Sequence, residues 1–195
     1  DKKQCMMLAQ VDEKGSLYHT LHDLPLRNIS YLEITTSFSP LPQSDKNLEV
    51  MRCDFNVGDS KQPSSTDIPA SLSAEIIAEM KTFDNDFDLA HVPGLLETLW
   101  KSNDNYVRVS PADRIARLLH LLHETETSGG IALRRETTRH GEYRISFGVA
   151  NPPHSGFISQ LLEVFQRLNI SVKRSYALTI SNGLSPCFLS TFYVK

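Results

Sequence analysis

YRISFGVANPPHSGFISQLLEVFQRLNISVKRSYALTIS, residues 143 to 181, decides the fold. Tyr143, Ile145, Phe147 and Val149 alternate with polar or small residues, the period of a strand with one buried face. Phe157, Ile158, Leu161, Leu162, Phe165 and Leu168 then form a helical stripe. Ile170, Val172, Tyr176, Leu178 and Ile180 alternate again, interrupted by Arg174. Phe188, Phe192 and Val194 close with a further strand. Period 2, then 3.6, then 2 twice more predicts β-α-β-β.

The same order recurs near the start. Residues 4 to 11 form a short apolar run, and Leu17, Leu21 and Leu24 give a short helix over 16 to 25 that stops at Pro25. Residues 29 to 38 are rich in β-branched and aromatic types. After a polar loop from Pro40 to Lys46, Met51, Cys53, Phe55 and Val57 alternate. A shift of 141 residues lays Gly15 on Gly156, Leu21 on Leu162, and Asn28-Ile29-Ser30 on Asn169-Ile170-Ser171. With a hairpin shorter by four residues, Phe55-Asn56-Val57 falls on Phe192-Tyr193-Val194. The expected class is therefore α+β, with two βαββ units whose antiparallel sheets are covered by helices. The units would pair their sheets side by side or face to face.

Between the copies, residues 58 to 69 have the composition of a linker. Leu72, Ile76, Ile77, Met80 and Phe83 make a helical stripe, so the first unit with its following helix is expected over 1 to 83. Residues 84 to 110 read as an acidic, irregular linker. Ser110-Pro111 opens a helix carrying Ile115, Leu118, Leu119 and Leu122. Gly129-Gly130 stop the chain before a strand at 131 to 138, so the second unit occupies 111 to 195. The helix and strand at 112 to 138 could complete either unit.

Among known families, "YRISFGVANPPHSGFISQLLEVFQRLNISVKRSYALTIS" with the closing "TFYV" at 191 to 194 resembles the ACT domain, a ferredoxin-like ligand-binding fold of metabolic regulators. Residues 4 to 57 resemble the same template more loosely. The family's usual acidic residue before the turn is Asn151 here, and its Pro-Gly is split as Pro153-His154-Ser155-Gly156. "YVRVSPADRIARLLHLL" (106 to 122), ahead of an ACT-like unit, resembles the regulatory N-terminal region of large NAD-dependent glutamate dehydrogenases. The resemblance implies a non-catalytic regulatory fragment without a cofactor of its own. It would sense a small metabolite, an amino acid, or mediate assembly of that enzyme. A purely structural interaction module and a small stand-alone enzyme are the competing readings.

The residues expected to hold the ligand lie at the two strand-to-helix turns. They are Asp12, Gly15 and Ser16 in the first copy, and Asn151, His154, Ser155 and Gly156 in the second. Free backbone N–H groups and the helix dipole favour a carboxylate there. Asn28 and Asn169 would sit near the facing edge.

Other constellations have plainer readings. His120, His123 and Glu124, like His19 and His22, show i, i+3 histidine spacing and no HExxH, so packing or solvated histidines are expected. Gly129-Gly130 and Gly141 fit neither phosphate-loop pattern. Arg134, Arg135 and Arg139 read as one solvated strand edge. Asp84, Asp86 and Asp88 lack the register of a calcium loop, and no GxSxG places a nucleophile.

The net charge of −3 gives no basic footprint for nucleic acid. No run reaches the ~18 apolar residues of a membrane span, and no signal-peptide layout opens the chain. Cys5, Cys53 and Cys187 are odd in number and far apart, each in an apolar strand-like run, so a reducing cytoplasm is expected. The ends read as those of a piece of a longer protein. A homo-oligomer formed through sheet edges or faces is expected.

Overall fold

The structure, a computed structural model, describes residues 2–13, 20–22, 29–57, 68–138, 141–153, 156–181 and 185–195. The strands are β1 (Lys2–Val11), β2 (Ile29–Pro40), β3 (Asn47–Val57), β4 (Ile131–Thr137), β5 (Tyr143–Ala150), β6 (Val172–Ser181) and β7 (Pro186–Val194). The α-helices among the described residues are α1 (Ala70–Phe83), α2 (Val92–Val109), α3 (Ala112–Thr127) and α4 (Phe157–Arg167). The fold is α+β, with one seven-stranded antiparallel sheet in the order β1-β3-β2-β6-β7-β5-β4.

That order reads alike from either side of the β2–β6 pairing, except for β4. The β1–β3 register sets Lys2 opposite Val57, and the β5–β7 register sets Tyr143 opposite Val194. These pairs are related by the shifts of 141 and 137 residues read from the sequence. The other pairing departs from them. The same shifts would carry the pair Leu32 and Cys53 onto Lys173 and Ser190, but Ser190 lies opposite Ala177. The four residues missing from the second hairpin are taken up there.

β7 is central, buried on both sides, and reads as a nearly continuous apolar run, whereas β6 is buried on both sides only from Ala177 to Ile180. On one face, Phe188, Phe192, Val194 and Ala177 pack with Leu32, Ile34, Met51 and Cys53 under Ile158, Leu162 and Phe165 of α4. On the other face, Leu178, Ile180, Cys187 and Leu189 meet α2 and α3, and α1 leans on α3. Helices thus cover both faces of the second half, rather than one. β4 pairs with β5, and α3 lies over β4, β5 and β7. The ambiguous helix and strand therefore belong with the second half.

The segment 84 to 110 corrects the expectation of an irregular linker. It contains a 3₁₀ turn (Leu89–His91) and α2. Val92, Leu95, Leu96, Leu99, Trp100, Tyr106 and Val107 form its buried stripe. The period is obscured at Asn103, whose φ of −158° and ψ of 71° break the helix. Of the first predicted helix, Thr20 and Leu21 are helical, His22 is in a turn, and the rest lies outside the described residues, as do residues 58–67 of the linker.

Two further corrections are local. Cys53 and Cys187 are buried, and burial pushes each thiol up to about 12, but Cys5 is exposed rather than packed as a small hydrophobe. Arg134 is no solvated edge residue: it points at α3, pairing with Glu124 at 3.1 Å. Arg135 stacks over Tyr143, and Arg139 lies outside the described residues. Among the described residues, no helix is long and apolar enough to cross a membrane.

Candidate functional site

Asn103 opens the site. Its side chain caps the second half of α2 by accepting from the Tyr106 N–H at 3.1 Å, the bond an N-cap makes to the third residue of a helix. Its amide donates to the Ser30 carbonyl on β2, tying helix to sheet. Tyr106 is thereby fixed, buried against Tyr31 with ring centroids 5.8 Å apart. Asn103→Leu should lower stability by about 1–3 kcal/mol, since two buried backbone groups lose partners. An unchanged urea midpoint would show that this cap contributes nothing.

The chain then turns at Ser110-Pro111 into α3, whose first turns present Arg114 and Arg117. Below them runs a row across three strands: Arg144 on β5, Tyr193 on β7 and Arg174 on β6, each directly opposite the next. Arg174 lies 4.0 Å and Arg144 5.2 Å from the Tyr193 ring centroid. The neighbouring row holds Ser146, Thr191 and Tyr176, with Ser146 and Thr191 hydroxyls 3.1 Å apart. Arg114 stacks on Tyr176 at 3.9 Å and lies in electrostatic reach of Tyr106, Tyr31 and Tyr193 as well. Between α3 and these rows is a cleft of about 210 Å³ lined by all four arginines. A second cleft of about 260 Å³, bordered by Arg52, Asp54 and Asn105, shares Tyr106 with it.

Carboxylates compensate only part of this charge. Glu136 accepts from both Arg117 and Arg144, at 3.0 Å each. Glu142 stands 3.7 Å from Arg174. No carboxylate among the described residues pairs with Arg114. Burial pushes the Tyr106 hydroxyl up to about 12, so it stays neutral. Fixed guanidiniums and hydroxyls can bind and orient an anion.

The turn residues lie elsewhere. Asp12 extends the β1–β3 ladder, its N–H donating to the Asn47 carbonyl at 2.8 Å. Asn151 sits at φ 51°, with its N–H on the Pro186 carbonyl at 2.7 Å. Gly156 takes φ 83° as the N-cap of α4, a left-handed conformation suited to glycine. Asn169 takes φ 55° just past the other end of α4. Gly156 and Asn169 lie beyond opposite ends of that 11-residue helix, roughly 20 Å apart, so they cannot share one small ligand. Gly15, Ser16, Asn28, His154 and Ser155 lie outside the described residues. Neither cleft is lined by Asp12, Asn151, Gly156 or Asn169.

His120 is engaged in packing. Its Nε2 lies 2.7 Å from Asp84, its Nδ1 2.6 Å from Arg134, and Phe83 and Phe87 flank the ring. The hydrogen bond from His120 holds the Asp84 carboxyl below its ordinary range. Among the described residues, no group of His, Cys, Asp and Glu could hold a metal ion.

Sequence reasoning missed the cleft arginines. The signals were there: Arg114 and Arg117 at i, i+3 after a helix start, and Arg174 interrupting an alternating strand. No family model, curated protein or solved structure matches this chain, and the cleft's own side chains are the guide to its chemistry.

Proposed function

We propose that this chain is a non-catalytic regulatory module of two ACT-like, ferredoxin-type βαββ units, joined side by side through β2 and β6. A small metabolite bound in the arginine cleft biases the states of an attached enzyme. The observation that carries the reading is Arg114, stacked on Tyr176 in a cleft with three further arginines and without a carboxylate partner among the described residues. The paired units are supported by the matching β1–β3 and β5–β7 registers. The likeness of residues 106 to 122 makes a large NAD-dependent glutamate dehydrogenase the enzyme and an amino acid or related acid the metabolite. The unpaired cysteines fit a reducing cytoplasm.

Calorimetry with amino acids and small organic acids tests this. Binding is expected for at least one, and Arg114→Gln should weaken it at least tenfold without lowering the unfolding temperature. A specific observation favours assembly as a second reading: the outer strands expose Met7 on β1 and Ile131 and Leu133 on β4. No heat with any compound, together with concentration-dependent self-association in sedimentation, would replace the sensing role with that one.

A further inference from the structure

We propose that the cleft takes a doubly charged oxoanion, a dicarboxylate or a phosphate, seated between Arg114 and Arg174 beneath the start of α3. This rests on the reading that the cleft binds a metabolite, and it sharpens the choice of ligand away from a neutral amino acid.

Charge is the first argument. Four guanidiniums line the cleft, while the carboxylates paired with them are Glu136 and Glu142. Two positive charges are left over. The single lining carboxylate, Asp113, is exposed at the rim, where water screens it. An ammonium group entering here would have to sit among guanidiniums.

Unused donors are the second. The Nε atoms of Arg117 and Arg144 are buried and lack a hydrogen-bond partner. Arg174 reaches Glu142 only at 3.7 Å, well beyond the ~2.7–2.9 Å of a charge-assisted hydrogen bond. α3 has no side-chain cap at its N-terminus, and Pro111, Asp113 and Arg114 of that terminus line the cleft. The positive end of a 16-residue helix thus adds to the arginine field.

Size is the third. About 210 Å³ lies below the roughly 300–1,000 Å³ of sites for drug-sized ligands, so the occupant is compact. The ring faces of Tyr176 and Tyr193 hold the two guanidiniums in place, which leaves the edge of Arg114 to fork onto oxygens and that of Arg174 shared only with Glu142 at 3.7 Å.

Isothermal titration of the 195-residue chain with succinate, inorganic phosphate, acetate and alanine tests the proposal. Succinate or phosphate should bind at least tenfold more tightly than acetate or alanine, and whichever binds names the source of the charge. Arg114→Gln and Arg174→Gln should each weaken that binding at least tenfold, with Arg114→Lys intermediate. Arg135→Gln, outside the cleft, should leave it unchanged. Acetate or alanine binding as tightly as the dianions would overturn the double charge while leaving a ligand-binding cleft. Failure of all four compounds, and of the wider panel of acids, would overturn both.

Discussion

Replacing Gly148 with alanine is expected to destabilise the protein by at least ~3 kcal/mol, and replacing it with valine to prevent folding. A Cβ at this position would stand 1.8 Å from the Thr125 hydroxyl oxygen, 3.1 Å from its Cβ and 3.2 Å from a Leu189 methyl. None of these can give way easily. Thr125 is 0% exposed, and its hydroxyl is engaged by the Leu121 carbonyl at 2.7 Å. Leu189 sits in the core between β7 and the helical layer. The glycine is thus what lets α3 lie close against β5. Thr125→Ala removes the nearest of the clashing atoms, so the double variant should recover part of the loss. A double-mutant cycle in urea would show this as a favourable coupling. If Gly148→Ala unfolds at the wild-type midpoint, α3 does not sit on β5 as described.

Phe192→Ala is expected to cost about 3–5 kcal/mol, a large share of the ~5–15 kcal/mol by which domains are stable. Phe192 is fully buried on β7 and meets Phe165 of α4 edge-on at 5.3 Å and Phe147 of β5 at 6.2 Å. It is the side chain that joins α4 to two strands at once, and a cavity left there cannot collapse without moving all three. Phe192→Leu, which keeps most of the volume, should cost under ~1.5 kcal/mol. Equal losses for the two variants would mean that ring packing is not what matters.

Much of this core was legible in the sequence. Phe165 and Phe192 stand on the apolar stripes that predict α4 and β7. The middle of the chain was not legible, because Asn103 breaks the period of α2 and a polar residue in a stripe reads as its end. Asn103 is there for its caps, which a sequence pattern cannot separate from a loop. The cleft was hidden for a different reason. Arg144 and Arg174 are 30 residues apart and meet only because β7 lies between β5 and β6 with Tyr193 opposite both. Strand order and register, not local pattern, create the site. Gly156 drew attention as a glycine at a helix start, and its left-handed conformation at the N-cap of α4 accounts for the glycine.

The pairing of β2 with β6 has a consequence for how the chain reaches this structure. Ile34 lies opposite Ser175, so the join closes a loop of about 140 residues, at a chain-entropy cost of about 4 kcal/mol. The strand pairings within each half span shorter separations, such as Lys2 with Val57 and Tyr143 with Val194. Long-range strand pairing is the slow kind. Each half is therefore expected to form its own strand pairs first, and the two halves to join last across β2 and β6.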